Sequence, residues 1–180
     1  MLNFPSPVFD ASVSGGDENL GNLPEWDLND LYQGTDDPKI DQAMAWLETE
    51  CVAFAADYDG NLAELTADDM LICIQRTEKI SSIAARIMSF AGLRYYQLST
   101  DGERTKFLSD AQEKITVFTT PLVFFTLELN RLSEEALTTL FKANPDLARY
   151  RPAIRRIRAL EPYQLSDELL IEIDVVKLHK

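Results

Sequence analysis

Residues 66–98 read TADDMLICIQRTEKISSIAARIMSFAGLRYYQL. Thr66 and Asp69 stand at capping-box spacing, where a hydroxyl and a carboxylate satisfy the first backbone N–H groups of a helix. No proline follows, and Gly92 is the first residue able to interrupt the pattern. Met70, Cys73, Ile80, Ala84, Ile87 and Ala91 recur at helical spacing and mark a buried face. The stretch predicts one long helix to about residue 98.

A second start signal, Thr100 with Glu103, follows at once. From it Leu108, Ala111, Ile115, Phe118, Leu122, Phe125, Leu129 and Leu132 alternate steps of three and four, a ladder suited to near-antiparallel packing at about +20°. Only residues 99–102 join the two runs. So short a connector predicts an antiparallel hairpin about 45 Å long at ~1.5 Å per residue. Pro121 interrupts the ladder, so a kink is expected there, or a new helix capped by Thr119 or Thr120.

Upstream, Asp37 before Pro38 pairs a capping carboxylate with a proline at the first helical position, where its missing N–H costs nothing. Ile40, Met44, Leu47, Cys51, Phe54 and Tyr58 then form one apolar stripe, which Asp59-Gly60-Asn61 ends. Asp27 is the expected cap of a short helical turn closing at Gly34 and pinned to the core by Trp26, Leu31 and Tyr32. Residues 1–22, with Pro5, Pro7, Gly15, Gly16 and Gly21, carry no periodicity and read as a flexible leader. Downstream, Ser133 caps a short helix ending near Asn144-Pro145, and one or two more fit around Pro152. Ser166-Asp167-Glu168 starts a last helix. The expected fold over 23–180 is an all-α multi-helix bundle built on a long antiparallel helical hairpin.

The 180 residues are 46% apolar and 26% charged, the balance of a globular chain with room for one sizeable core. Met1 to Phe9 lacks the basic and apolar parts of a signal peptide, and no apolar run is long enough to span a bilayer. The expected setting is the cytoplasm, with no membrane contact. Cys51 and Cys73 fall within helical patterns and are expected as buried reduced thiols, neither bridged nor metal-bound.

Charge is divided unevenly along the chain. Residues 1–70 hold 16 acids against one base, Lys39, a net of −15; residues 71–180 hold 14 acids and 16 bases, a net of +2. The acidic front argues against nucleic acid as a partner. The acid pairs Asp36/Asp37, Asp68/Asp69, Glu134/Glu135 and Asp167/Glu168 sit at expected helix starts, answering the helix dipole rather than forming a catalytic dyad. No phosphate loop, nucleophile–base pair or metal-ligand cluster is found, and the single histidine, His179, is expected exposed at a frayed end. No catalytic, metal or cofactor-binding residue is therefore assigned. Arg149, Arg151, Arg155, Arg156 and Arg158 put five guanidinium groups within ten residues, and Arg151, Arg155 and Arg158 share a helical face. They are expected to pair with acids of the front helices; an interdomain or carboxylate-binding surface is the functional alternative. Phe124-Phe125 and Tyr95-Tyr96 are expected in the core.

Three stretches together resemble the N-terminal domain of oligoendopeptidase F, within the thimet-oligopeptidase-like zinc peptidases. They are Leu23-Pro24-Glu25-Trp26-Asp27-Leu28 with Asp30-Leu31-Tyr32; Thr120-Pro121-Leu122 through Phe124-Phe125 to Leu127-Glu128-Leu129-Asn130-Arg131-Leu132; and Leu147-Ala148-Arg149-Tyr150-Arg151-Pro152 leading to Gln164-Leu165-Ser166-Asp167-Glu168. The resemblance implies a helical domain that packs on, and partly encloses, the cleft of a larger domain cutting short peptides. The family's HExxH helix and its distant Glu ligand are absent, so none of its catalytic or zinc-binding residues can be placed on this sequence. What it implies is a non-catalytic part whose partners are the missing C-terminal catalytic domain, with its zinc, and through it peptide substrates. Self-association through an exposed interdomain face is a further expectation. The competing reading is a free-standing helical interaction module that buries its arginine face on an acidic partner.

Overall fold

The computed structural model describes residues 26–159, and these are helical with no strand among them. The expected leader and the helix from Ser166 lie outside the described residues. In chain order the helices are α1 (Pro38–Tyr58), α2 (Ala67–Gln97), α3 (Gly102–Thr119), α4 (Val123–Arg131), α5 (Glu134–Ala143), α6 (Pro145–Ala148) and α7 (Arg151–Arg158). Short 3₁₀ turns at Leu62–Glu64 and Thr120–Leu122 precede α2 and α4.

Capping chemistry explains most of these boundaries. The Asp37 carboxylate accepts from the N–H of Lys39 at 2.9 Å and from that of Gln33 at 3.0 Å, joining the entry turn to α1. Thr66 Oγ1 accepts from the Asp69 N–H and donates to the Asp69 carboxylate. α3 differs from expectation: its cap is Asp101, which accepts from the N–H groups of Glu103 and Arg104, not Thr100. Asp101 directly precedes the first helical residue, so its short side chain reaches the orphan N–H groups at the second and third positions.

The break at Pro121 is sharper than a kink. Proline lacks the N–H that would bond back four residues, and its ring crowds that carbonyl, so α3 stops and the chain restarts after a 3₁₀ turn. Neither threonine caps the new helix, because both hydroxyls turn back: Thr119 donates to the Ile115 carbonyl and Thr120 to that of Thr116. At 18 residues α3 spans about 27 Å, against about 46 Å for the 31 residues of α2.

All six stripe residues of α1 are buried, with Leu47, Cys51 and Phe54 wholly enclosed. α2 turns Met70, Cys73, Ile80, Ile87 and Ala91 inward as expected and adds Ile74 and Phe90, while Ala84 is half-buried. Phe54 lies at the centre, its ring 5.9 Å from Phe124 and 6.0 Å from Phe125. The loop after α1 turns at Gly60, whose φ of +80° favours a residue without a Cβ. Glu128 of α4 clasps that loop from afar, accepting from the N–H of Gly60 at 2.6 Å and of Leu62 at 3.1 Å.

The entry segment forms a single short turn. Asp27 accepts from the Asn29 N–H, and the N–H groups of Leu31 and Tyr32 return to the Leu28 carbonyl. Trp26 does not anchor it, being 57% exposed. That role falls to Tyr32, edge-on to Phe90, and to Arg86, which donates to the carbonyls of Asp30 and Leu31 and covers the Tyr32 ring.

Candidate functional site

Basic side chains decide where this molecule is closed and where it is open. Arg76 of α2 donates to Glu50 at 2.8 Å and to Asp57 at 2.7 Å, with its guanidinium over the rings of Phe54 and Tyr58. Partial burial works against its charge, yet the two carboxylates hold it more firmly protonated than an ordinary arginine. This is where the acidic front meets the rest of the chain.

The C-terminal arginines do something else. None of them pairs with an acid of residues 1–70 among the described contacts, which corrects the expectation from sequence. Arg158 turns inward, donating to the main-chain carbonyls of Leu129 (2.8 Å), Asn130 (3.3 Å) and Leu132 (2.6 Å), and to Glu134 at 3.1 Å. Those carbonyls lie at the end of α4, where the helix has no acceptors' partners of its own, so Arg158 closes α4 and locks α7 to it. Arg151 stacks on the Phe141 ring at 4.9 Å. Among the described residues Arg149 reaches only its neighbour Asp146, at 3.4 Å, with both side chains largely exposed. Arg155 and Arg156 are exposed and meet no carboxylate among the described residues. Arg151, Arg155 and Arg158 do share a face, and with Leu137, Thr138 and Ile154 they line a shallow groove between α5 and α7.

Other expected groups are dispersed. Asp37, Asp69 and Glu135 interact at helix starts, Asp68 accepts from Asn144 Nδ2, and Glu134 meets Arg158. Cys51 and Cys73 are free and buried; burial pushes the Cys73 thiol up to about 12. Phe125 is buried and Phe124 half-buried, but Tyr96 is 72% exposed. Adjacent helical residues point about 100° apart, so Tyr95 and Tyr96 cannot both face the core. His179 and Asp167/Glu168 lie outside the described residues. Among the described residues no group of three His, Cys, Asp or Glu side chains could hold a metal ion, and no helix is long and apolar enough to cross a membrane.

Residues 128–169 match the family model described as Oligopeptidase F, of the peptidase N-terminal region. Over those residues the chain is similar to the N-terminal domain of the oligopeptidase family. The match opens at Glu128, the residue clasping the α1–α2 loop, and takes in Arg158 and the arginine face of α7. No curated protein and no solved structure gives a significant match to this chain.

Proposed function

We propose that this chain is the non-catalytic helical part of a zinc-dependent oligoendopeptidase, acting in the cytoplasm to shape or cover the cleft in which a separate catalytic domain hydrolyses short peptides. The observation that carries the reading is the family match over residues 128–169. The three sequence stretches around Trp26, Phe124 and Tyr150 support it over a wider span. In this reading α2 and α3 form an antiparallel hairpin that serves as the domain's spine. Its support is the pairing of Phe90 with Phe107 and of the Arg94 carbonyl with Arg104, contacts that move in opposite directions along the two helices.

Zinc and the scissile peptide belong, in this proposal, to the catalytic domain, because the chain supplies one histidine and no HExxH. The purified chain should bind no stoichiometric zinc and leave quenched fluorescent peptides uncut. The reading frame beyond codon 180 should encode HExxH. Stoichiometric zinc or cleavage by the 180-residue chain would defeat the proposal, as would a native frame that stops at this codon.

A further inference from the structure

The arginine face of α7 is open in a chain where other guanidinium groups are engaged. Arg76, Arg86 and Arg104 each find acceptors within the fold, and Arg158 is consumed by the end of α4. Arg151, Arg155 and Arg156 face solvent, with Arg149 just before them. The chain has 30 acids to choose from, yet the only carboxylate in ion-pair reach of these four among the described residues is the exposed Asp146. Beside them lies a groove lined by Leu137, Phe141, Arg151, Ile154 and Arg155, whose one carboxylate, Glu134, is paired with Arg158. Stacking on Phe141 fixes the Arg151 guanidinium plane while leaving its edge donors to meet an incoming acceptor.

We propose that the α5–α7 face binds an acidic polypeptide segment of a partner protein, with Arg151 and Arg155 at the groove and Arg156 beside it taking its carboxylates and the groove taking an apolar side chain. Planar guanidinium forks match carboxylates two bonds at a time, and an Asp/Glu segment spaces such groups along an extended chain. A nucleic acid fits less well, because the one aromatic ring in the groove is covered by Arg151 and is not free to stack on a base. A second copy of this chain carries the same net charge and would make a head-to-tail contact with no built-in closure. The inference stands independently of the peptidase reading.

The test uses the full chain and a fluorescein-labelled peptide of eight glutamates interrupted by two leucines, titrated by anisotropy at low and at physiological salt. Arg155→Glu/Arg156→Glu should weaken binding at least ~10-fold, since two charge-assisted contacts are lost and two repulsions gained. Lys106→Glu/Lys114→Glu on α3 changes net charge equally and should weaken it less than ~3-fold. Arg155→Lys/Arg156→Lys, keeping charge but not the fork, should fall between the two pairs. Circular dichroism melts would show that each variant folds. Equal losses in the two Glu pairs, or no peptide binding at low salt, overturn the proposal. So does tighter binding of a ten-nucleotide single strand, or self-association in sedimentation that the Arg155/Arg156 exchange abolishes.

Discussion

Arg158, only 14% exposed at its side chain, ties α7 to the end of α4 through the main-chain carbonyls of Leu129, Asn130 and Leu132. Arg158→Ala leaves those acceptors facing apolar packing and should cost about 2–3 kcal/mol, read as a lower urea midpoint with an unchanged slope. Arg158→Lys should recover only part, because one ammonium cannot span three carbonyls. Close by, the side-chain amide of Asn130 is 5% exposed, and its nitrogen and oxygen have no hydrogen-bond partner among the described residues. A buried unpaired amide is a penalty of roughly 1–3 kcal/mol, so Asn130→Leu, which keeps the branched skeleton without the polar atoms, should raise the thermal midpoint. A fall would mean that the amide has a partner in solution. Asp37 gives the pH dependence: the N–H groups of Gln33 and Lys39 hold its carboxyl below the ordinary 3.8. A depressed folded value means that its contribution is fully present above the unfolded value and is lost as pH falls through the folded one. Asp37→Asn keeps an acceptor but cannot titrate, so below about pH 4 its stability should decline less steeply than that of the parent.

At the level of elements, local chemistry explains existence and tertiary or stereochemical detail explains boundaries. The stripe of α1 and its Asp37-Pro38 start were fully legible in sequence, since capping and 3.6-residue periodicity involve neighbours along the chain. The start of α3 was misplaced by one residue because Thr100 and Asp101 are both competent caps, and only backbone geometry chooses between them. Asp101→Ala should therefore cost about 1 kcal/mol and Thr100→Ala only a few tenths, measured by chemical denaturation; equal costs would contradict the observed cap. Pro121 announced a break, but whether the chain would kink or restart depended on which carbonyls the Thr119 and Thr120 hydroxyls occupied. The clasp of Glu128 on the Gly60 loop had no signal in sequence, being a contact across more than sixty residues.

Across the whole molecule, 30 acids against 17 bases leave a net charge of −13 that opposes compaction. Added salt screens that repulsion, and it also weakens the Arg76 pairs, whose side chains are 21–57% exposed. Half-exposed pairs are worth about 1 kcal/mol or less each, while the repulsion sums over many sites. The thermal midpoint should thus rise between low salt and physiological ionic strength; a flat or falling midpoint would mean that the Arg76 cluster outweighs the net charge.

The all-α class and the buried face of each long helix were determined by the sequence alone, because periodicity and caps are local. Which charges meet was decided only by the tertiary structure. Arg76 joins front to back, Arg158 turns inward to α4, and Arg155 and Arg156 stay open. An ion pair or hydrogen bond depends on a few ångströms in space between residues far apart in the chain, and that distance exists only once the helices have packed.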